Sequence, residues 1–314
     1  MSDEPGIAGP TVVIPYEPAE EESSGVEIFV YLRPETNGVV VESSLLRVIE
    51  RSPVYKHAIE LAYLANIPGE FIRAHQIIEK QYGHKLPFAH NGKEHFTENM
   101  RERFESHFRT EFGDAPIFGA FAAIEKLQMT PEELFKVWVA PEDHLVLNCQ
   151  TIKRVRDLFI VNYDLPALLK KNTVGTDITV MIFRSSLSGS DFHLMMEDME
   201  NALRSDSLID SRTSASRAFH YSRGPFDQIL DARGHLFEPD GSNFDIKNIQ
   251  FYRYLRNRGV DCRTIEKALH SPIMQFRQTD GTLIEECLYA YTQDDEYETA
   301  YRKLTSVVTQ FDIR

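Results

Sequence analysis

Histidine and glutamate are concentrated in one short part of the chain. Five of the eleven histidines lie between residues 75 and 107, together with five glutamates. Imidazole and carboxylate groups are common ligands of transition metals and common acid and base groups of enzymes. None of these histidines stands at a recognised ligand spacing from another, so only the fold can bring them together.

The strongest metal hypothesis in this region combines three histidines with one carboxylate: His84, His90, His95 and Glu98. Pro87 and Gly92 favour a loop that turns back toward the start of the following helix. Three neutral nitrogens and one carboxylate oxygen suit zinc or iron. The spacing therefore supports the hypothesis of a Zn or Fe site, provided that the four side chains converge.

A helix predicted over residues 96–112 offers a simpler explanation of the same residues. At 3.6 residues per turn, one side carries four large apolar residues: Phe96, Met100, Phe104 and Phe108. The opposite side carries the polar stripe: His95, Glu98, Glu102 and Glu105. This pattern predicts that the stripe faces water, where charges three or four residues apart pair with each other. A solvated acidic face is thus the alternative to the metal site.

A second candidate lies between a predicted strand and a predicted helix. The residues that would contact an anion are one guanidinium and three hydroxyls: Arg184, Ser185, Ser188 and Ser190. Small residues before a helix can present several backbone N–H groups to an anion, and arginine adds a charge-assisted contact. Ordinary capping of the helix by Ser190 or Asp191 explains the composition equally well, and the Asp191 carboxylate would repel an anion.

A third candidate is a predicted helix that combines arginine with aromatic residues, represented by Arg253, Tyr254 and Arg256. Such residues are enriched where proteins bind each other. The formal net charge of −14 argues against a nucleic-acid backbone and against an anionic membrane surface as the partner. We therefore expect a protein partner, with intramolecular pairing to the acidic surface as the alternative.

The run from Leu230 to Phe237 resembles the first motif of haloacid-dehalogenase phosphatases, in which a strand delivers a nucleophilic aspartate. The matching aspartate is Asp231. The second aspartate of that motif is replaced here by Arg233, so the general acid of the family is missing. The resemblance covers these eight residues, and no functional residue is carried over from it.

Cysteine usage and hydropathy indicate the compartment. Cys149, Cys262 and Cys287 are odd in number and far apart, and Cys149 and Cys287 are expected to be core residues. We predict no disulfide, a reducing compartment and a cytoplasmic location. The sequence shows no secretory signal, and no apolar run approaches the ~20 residues needed to cross a bilayer.

The order of elements predicts an α+β protein. Residues 1–25 are acidic and proline-rich and are expected to form a disordered tail, in which residues 11–16 are either mobile or laid down as an edge segment. A β-hairpin over 26–41 and a largely helical body are expected to fill residues 26–172. A smaller sheet-and-helix part is expected over residues 176–314, with a second hairpin near Asp280-Gly281. The boundary at 172–176 either separates two domains or subdivides one.

No complete catalytic set is visible in the sequence. We therefore expect a non-catalytic binding or regulatory protein that acts through protein–protein contacts. The alternative is a metal-dependent hydrolase or oxidoreductase built on residues 84–98. Convergent sites are recognised by their geometry, so the fold must decide between them.

Overall fold

The computed structural model describes residues 7–19, 25–187, 189–210 and 218–313, except for the side chains of 189–192. The fold is α+β, as predicted. Its strands are β1 Thr11–Ile14, β2 Val26–Leu32, β3 Ile59–Pro68, β4 Ile117–Gly119, β5 His144–Leu147, β6 Gln150–Val155, β7 Leu158–Val161, β8 Asp177–Ser185, β9 Phe219–Tyr221, β10 Ile273–Arg277, β11 Leu283–Cys287 and β12 Val307–Gln310.

Helices cover and connect these strands. They are α1 Val39–Arg51, α2 Tyr55–Ala58, α3 Gly69–Ala74, α4 Ile77–Gln81, α5 Leu86–Asn91, α6 Glu98–Phe108, α7 Ala120–Leu127, α8 Pro131–Lys136, α9 Leu165–Lys170, α10 Gly189–Ser205, α11 Pro225–His235, α12 Gln250–Asn257, α13 Cys262–His270, α14 Leu288–Tyr291 and α15 Tyr297–Thr305. Within the described ranges, no helix is long and apolar enough to span a bilayer.

Contacts divide the chain into two compact units, each built from separated segments. The first contains Met1–Ile77, Asn172–Cys262 and Thr292–Tyr301, and the second contains Ile78–Lys171, Arg263–Tyr291 and Arg302–Arg314. One crossing between the units falls at residues 171–172, beside the boundary inferred from the sequence. Both units, however, contain segments from each side of that boundary. The division into residues 26–172 and 176–314 stays a prediction.

The first unit is built on a five-stranded sheet with the order β1-β3-β8-β2-β9, in which all neighbours are antiparallel. Alternate residues of β2 point to opposite faces of the sheet. Ile28, Val30 and Leu32 pack into a core with the methionines of α10. Glu27, Phe29 and Tyr31 therefore point to the other face, where α11 and α12 pack on β2. This second face carries the candidate site described below.

The second unit contains a three-stranded sheet, β11-β10-β12, and a four-stranded sheet, β4-β7-β6-β5. The apolar ridge of α6 is buried, as predicted: Phe96, Met100, Phe104 and Phe108 join one aromatic core. Glu98, Glu102 and Glu105 are exposed on the opposite side of that helix. The predicted hairpin near Asp280-Gly281 is present as the antiparallel pair β10–β11.

The predicted N-terminal hairpin is wrong. β2 forms, but residues 39–41 begin helix α1 instead of returning as a strand. Gly38 adopts a φ of 145°, and α1 buries Val41 and Leu45, which are four residues apart. β2 finds its partners in β8 and β9, far away in the sequence. Residues 43–172 are mainly helical, as expected, but β3 and four shorter strands also lie there.

In the N-terminal stretch the structure supports the edge segment expected over residues 11–16, whereas residues 1–6 and 20–24 of the expected disordered tail lie outside the described part of the chain. Residues 11–14 form the edge strand β1, which pairs with β3, and Tyr16 and Ala19 are buried. Arg253 donates a hydrogen bond from Nη1 to the Ala19 carbonyl oxygen at 2.6 Å. Buried side chains and backbone pairing thus compensate the ordering entropy of this acidic segment.

The prediction that no disulfide forms is also wrong. Cys149 and Cys287 are disulfide-bonded in the second unit, with 5.8 Å between their Cα atoms, and Cys262 is the free cysteine. Their separation of 138 residues conceals the pairing in the sequence. Disulfides persist in oxidising compartments, so the bond removes one argument for the cytoplasm, which stays a prediction.

Candidate active site

A histidine and an aspartate meet on the second face of the five-stranded sheet. His220 Nε2 lies 2.9 Å from Asp231 Oδ2. The aspartate side chain is 2% exposed, whereas the histidine side chain is 22% exposed. A buried carboxylate thus contacts a partly exposed imidazole, which is the arrangement of a carboxylate-oriented acid/base group.

A tyrosine and a second histidine complete the cluster. The Tyr31 ring stacks against His220 at 4.4 Å and against His235 at 4.7 Å between ring centroids. Arg33 lies 5.3 Å from the centre of the same ring. These contacts restrain both imidazoles, so the His220 ring has a defined plane as well as a defined partner.

Two elements place the histidine–aspartate pair. His220 is the register partner of Tyr31 in the β2–β9 pairing, so both side chains emerge on the same face. Asp231 and His235 lie four residues apart on α11, hence on one side of that helix. Helix α11 begins after Gly224, where a Cβ would lie 2.5 Å from the Thr292 carbonyl oxygen. Glycine therefore allows the close approach that fixes the start of α11.

The hydrogen-bond partners assign the tautomers of the two neutral imidazoles. A carboxylate only accepts hydrogen bonds, so His220 carries its proton on Nε2 and has a lone pair on Nδ1. His235 Nδ1 donates to the Asp231 carbonyl oxygen at 3.0 Å, which leaves the lone pair on Nε2. That Nε2 atom is buried and has no donor among the described residues.

His235 makes the protein sensitive to acid. Its side chain is fully buried, and burial lowers its pKa to about 4, against 6.5 for an exposed histidine. Between pH 6.5 and pH 4, His235 is protonated in the unfolded chain but stays neutral in the folded chain. The free energy of unfolding therefore decreases as the pH falls from 6.5 to 4. We expect a loss of about 3 kcal/mol in the free energy of unfolding between pH 7 and pH 4 from this group.

Urea denaturation at several pH values measures this effect. Replacing His235 by glutamine should flatten the dependence between pH 6.5 and 4, while His193→Gln, at an exposed ion pair with Asp294, should not. An unchanged pH dependence in His235→Gln would show that the buried imidazole does not resist protonation.

The structure does not bring the four predicted metal ligands together. His84 is partly buried against Tyr289, and burial lowers its pKa to about 3. His90 is exposed and stacks on Phe121. His95 contacts Asn91 through Nε2, and exposed Glu98 lies 3.5 Å from Arg101. Across the ranges that the structure describes, no group of three His, Cys, Asp or Glu residues is arranged to hold a metal ion.

The predicted anion-binding residues are engaged in other contacts where they are described. Arg184 faces Glu27, its register partner on β2, with Nη2 3.0 Å from Oε1. The Ser185 hydroxyl is buried and accepts the Leu187 N–H. Ser188 and the side chain of Ser190 lie outside the described part of the chain. Anion binding stays a prediction, and the Arg184 guanidinium is already paired with the buried Glu27 carboxylate.

The three predicted interface residues lie on α12 and contact the first unit itself. Arg253 binds the Ala19 carbonyl oxygen, and Tyr254 donates to Glu298 Oε2 at 2.7 Å. Arg256 donates to the Val260 carbonyl oxygen at 2.8 Å. These contacts agree with the alternative of intramolecular pairing, and a protein partner stays a prediction.

The sequence alone did not predict that His220, Asp231, His235 and Tyr31 form a cluster. One local signal was available, because Asp231 and His235 are spaced by one helical turn. The resemblance to the phosphatase motif obscured it, since that motif places the aspartate after a strand, whereas Asp231 lies within α11.

Comparison with family models, with curated proteins and with solved structures gives no match for this chain. Function must therefore be argued from the geometry.

Proposed function

We propose that the protein is a hydrolase in which His220 acts as the general base. The observation that carries the proposal is the 2.9 Å contact between His220 Nε2 and the buried Asp231 carboxylate. This contact fixes the tautomer, so that Nδ1 is the atom with the free electron pair. It also stabilises the imidazolium that forms when His220 takes up a proton.

Water is the nucleophile in this proposal. In the described ranges, no serine, threonine or cysteine side chain is hydrogen-bonded to His220, and the His220 side chain is 22% exposed to solvent. Nδ1 removes a proton from water while the water oxygen attacks the carbonyl carbon of an ester. The tetrahedral intermediate then expels the alcohol, which recovers the proton from His220. The products are a carboxylic acid and an alcohol.

Steady-state hydrolysis of p-nitrophenyl acetate tests the proposal. The Cys262→Ser protein is the suitable background, because it lacks the free thiol that could react with this ester. In that background, His220→Gln should lower the rate by about 10²–10⁴-fold, the usual contribution of a general base. His193→Gln is the matched control, because His193 also lies 2.8 Å from an aspartate, Asp294, but on the surface.

The control variant should keep the parental rate. Equal rates for His220→Gln and His193→Gln would refute the proposal. So would a parental rate no higher than that of free imidazole at the same concentration.

A further inference from the structure

The second unit contains a cavity of about 410 Å³ beside the edge strand β11. Helix α6 contributes Asn99 and Arg103 to its wall, and α14 contributes Tyr291. The rest of the wall is β11, from Leu283 to Glu286. A cavity of this size lies within the range of small-molecule sites. Its polar groups indicate which ligand it suits.

One part of the wall contains hydrogen-bond acceptors that have no donor among the described residues. Glu285 is 9% exposed, and its two hydrogen bonds, from Thr97 Oγ1 at 2.5 Å and Asn148 Nδ2 at 2.8 Å, both end on Oε1. Among the described residues nothing donates to Oε2. The side-chain oxygen of Asn99 is also buried without a donor in this part of the chain. The second oxygen of the Glu285 carboxylate is thus available to a positively charged donor.

Another part of the wall offers donors. The Arg103 guanidinium lies 3.6 Å from Glu286 Oε2, which is beyond hydrogen-bond distance. Glu286 already accepts the Cys287 N–H through its other oxygen at 3.0 Å. No described residue accepts a hydrogen bond from the guanidinium, which has five N–H donors in a planar fork. Such a fork binds a carboxylate through two parallel hydrogen bonds.

The remaining wall is apolar. Leu283, Ile284 and the Tyr291 ring supply carbon surface to the same cavity. A purely cationic ligand would leave Arg103 unused, and a purely anionic ligand would meet the two glutamates. A ligand that carries both charges satisfies both parts of the wall.

We propose that this cavity binds a free α-amino acid with an apolar side chain. The ammonium group binds Glu285, the carboxylate binds Arg103, and the side chain packs on Leu283, Ile284 and Tyr291. This binding function lies in the second unit and is independent of the reaction proposed at His220.

Calorimetric titration with three matched ligands tests the proposal. L-Leucine carries both charges, isoamylamine lacks the carboxylate, and 4-methylpentanoate lacks the ammonium group. Because each lost charge-assisted contact weakens binding at least about tenfold, leucine should bind at least tenfold more tightly than either analogue. Equal binding of the three ligands, or no saturation by leucine in the millimolar range, would overturn the proposal.

Two variants assign the contacts. Glu285→Gln keeps an oxygen for Thr97 and Asn148 but removes the charge, so it should weaken leucine at least about tenfold and leave 4-methylpentanoate unchanged. Arg103→Gln, at a partly exposed site, should weaken leucine similarly and leave isoamylamine unchanged.

Arg101→Gln is the control, because Arg101 lies on the same helix and pairs with Glu98 outside the cavity. It should bind leucine like the parent protein. If Arg103→Gln binds leucine equally well, the assigned carboxylate contact is refuted. Tighter binding of leucinamide than of leucine would also overturn the proposal, since the amide lacks the carboxylate.

Discussion

Replacing Arg184 by methionine should lower the free energy of unfolding by about 3–5 kcal/mol. The variant would leave the fully buried Glu27 carboxylate without its cation, which lies 3.0 Å away in the parent protein. Tyr16 donates to the same carboxylate, but a neutral hydroxyl cannot balance a buried charge. The loss should therefore far exceed that caused by removing an exposed ion pair. Urea denaturation measures the difference.

Arg47→Met is the matched control, because Arg47 pairs with Asp206 at 2.8 Å on the surface of the same unit. It should cost no more than about 1 kcal/mol. The double variant Glu27→Gln/Arg184→Met should recover part of the loss, since it removes the unpaired charge. Equal losses in Arg184→Met and Arg47→Met would contradict the assignment of a buried ion pair.

Removing the disulfide should lower the free energy of unfolding by about 3–5 kcal/mol. The bond joins Cys149 to Cys287 across 138 residues, and the constraint that it imposes on the unfolded chain grows with this length. It also connects the two segments that contain Asn148 and Glu285, which are hydrogen-bonded to each other. Denaturation of the variant Cys149→Ser/Cys287→Ser tests the prediction.

Cys262→Ser is the control for this experiment, because Cys262 forms no disulfide. It should be as stable as the parent, and a reducing agent should destabilise the parent but not the double variant. If the reducing agent leaves the parent's stability unchanged, the bond is not stabilising the fold.

Local patterns in the sequence predicted those helices and strands in which the spacing of apolar residues marks the buried side. The ridge of α6 and the apolar strand β8 are examples, as is the start of α8, where Thr130 and Glu133 have the capping-box spacing and form that box. In each case a few adjacent residues decide both the conformation and the buried side.

These local patterns could not predict pairings between segments that are far apart in the sequence. The valines at 39–41 have strand propensity but begin a helix, because β2 is already paired on both sides by β8 and β9. Likewise, 138 residues separate the two bonded cysteines. The candidate site depends on such a pairing, since the β2–β9 register brings His220 beside Tyr31 and toward Asp231.

The hydrolysis rate of Asp231→Asn is the sharpest test of the role assigned to His220. Asparagine keeps the size of the side chain, but its amide N–H can donate to Nε2 and thereby favour the tautomer with the proton on Nδ1. In the Cys262→Ser background we predict a loss of about 10²–10⁴-fold, similar to that of His220→Gln, while Asp294→Asn keeps the parental rate. A folded Asp231→Asn protein that hydrolyses p-nitrophenyl acetate at the parental rate would contradict the account.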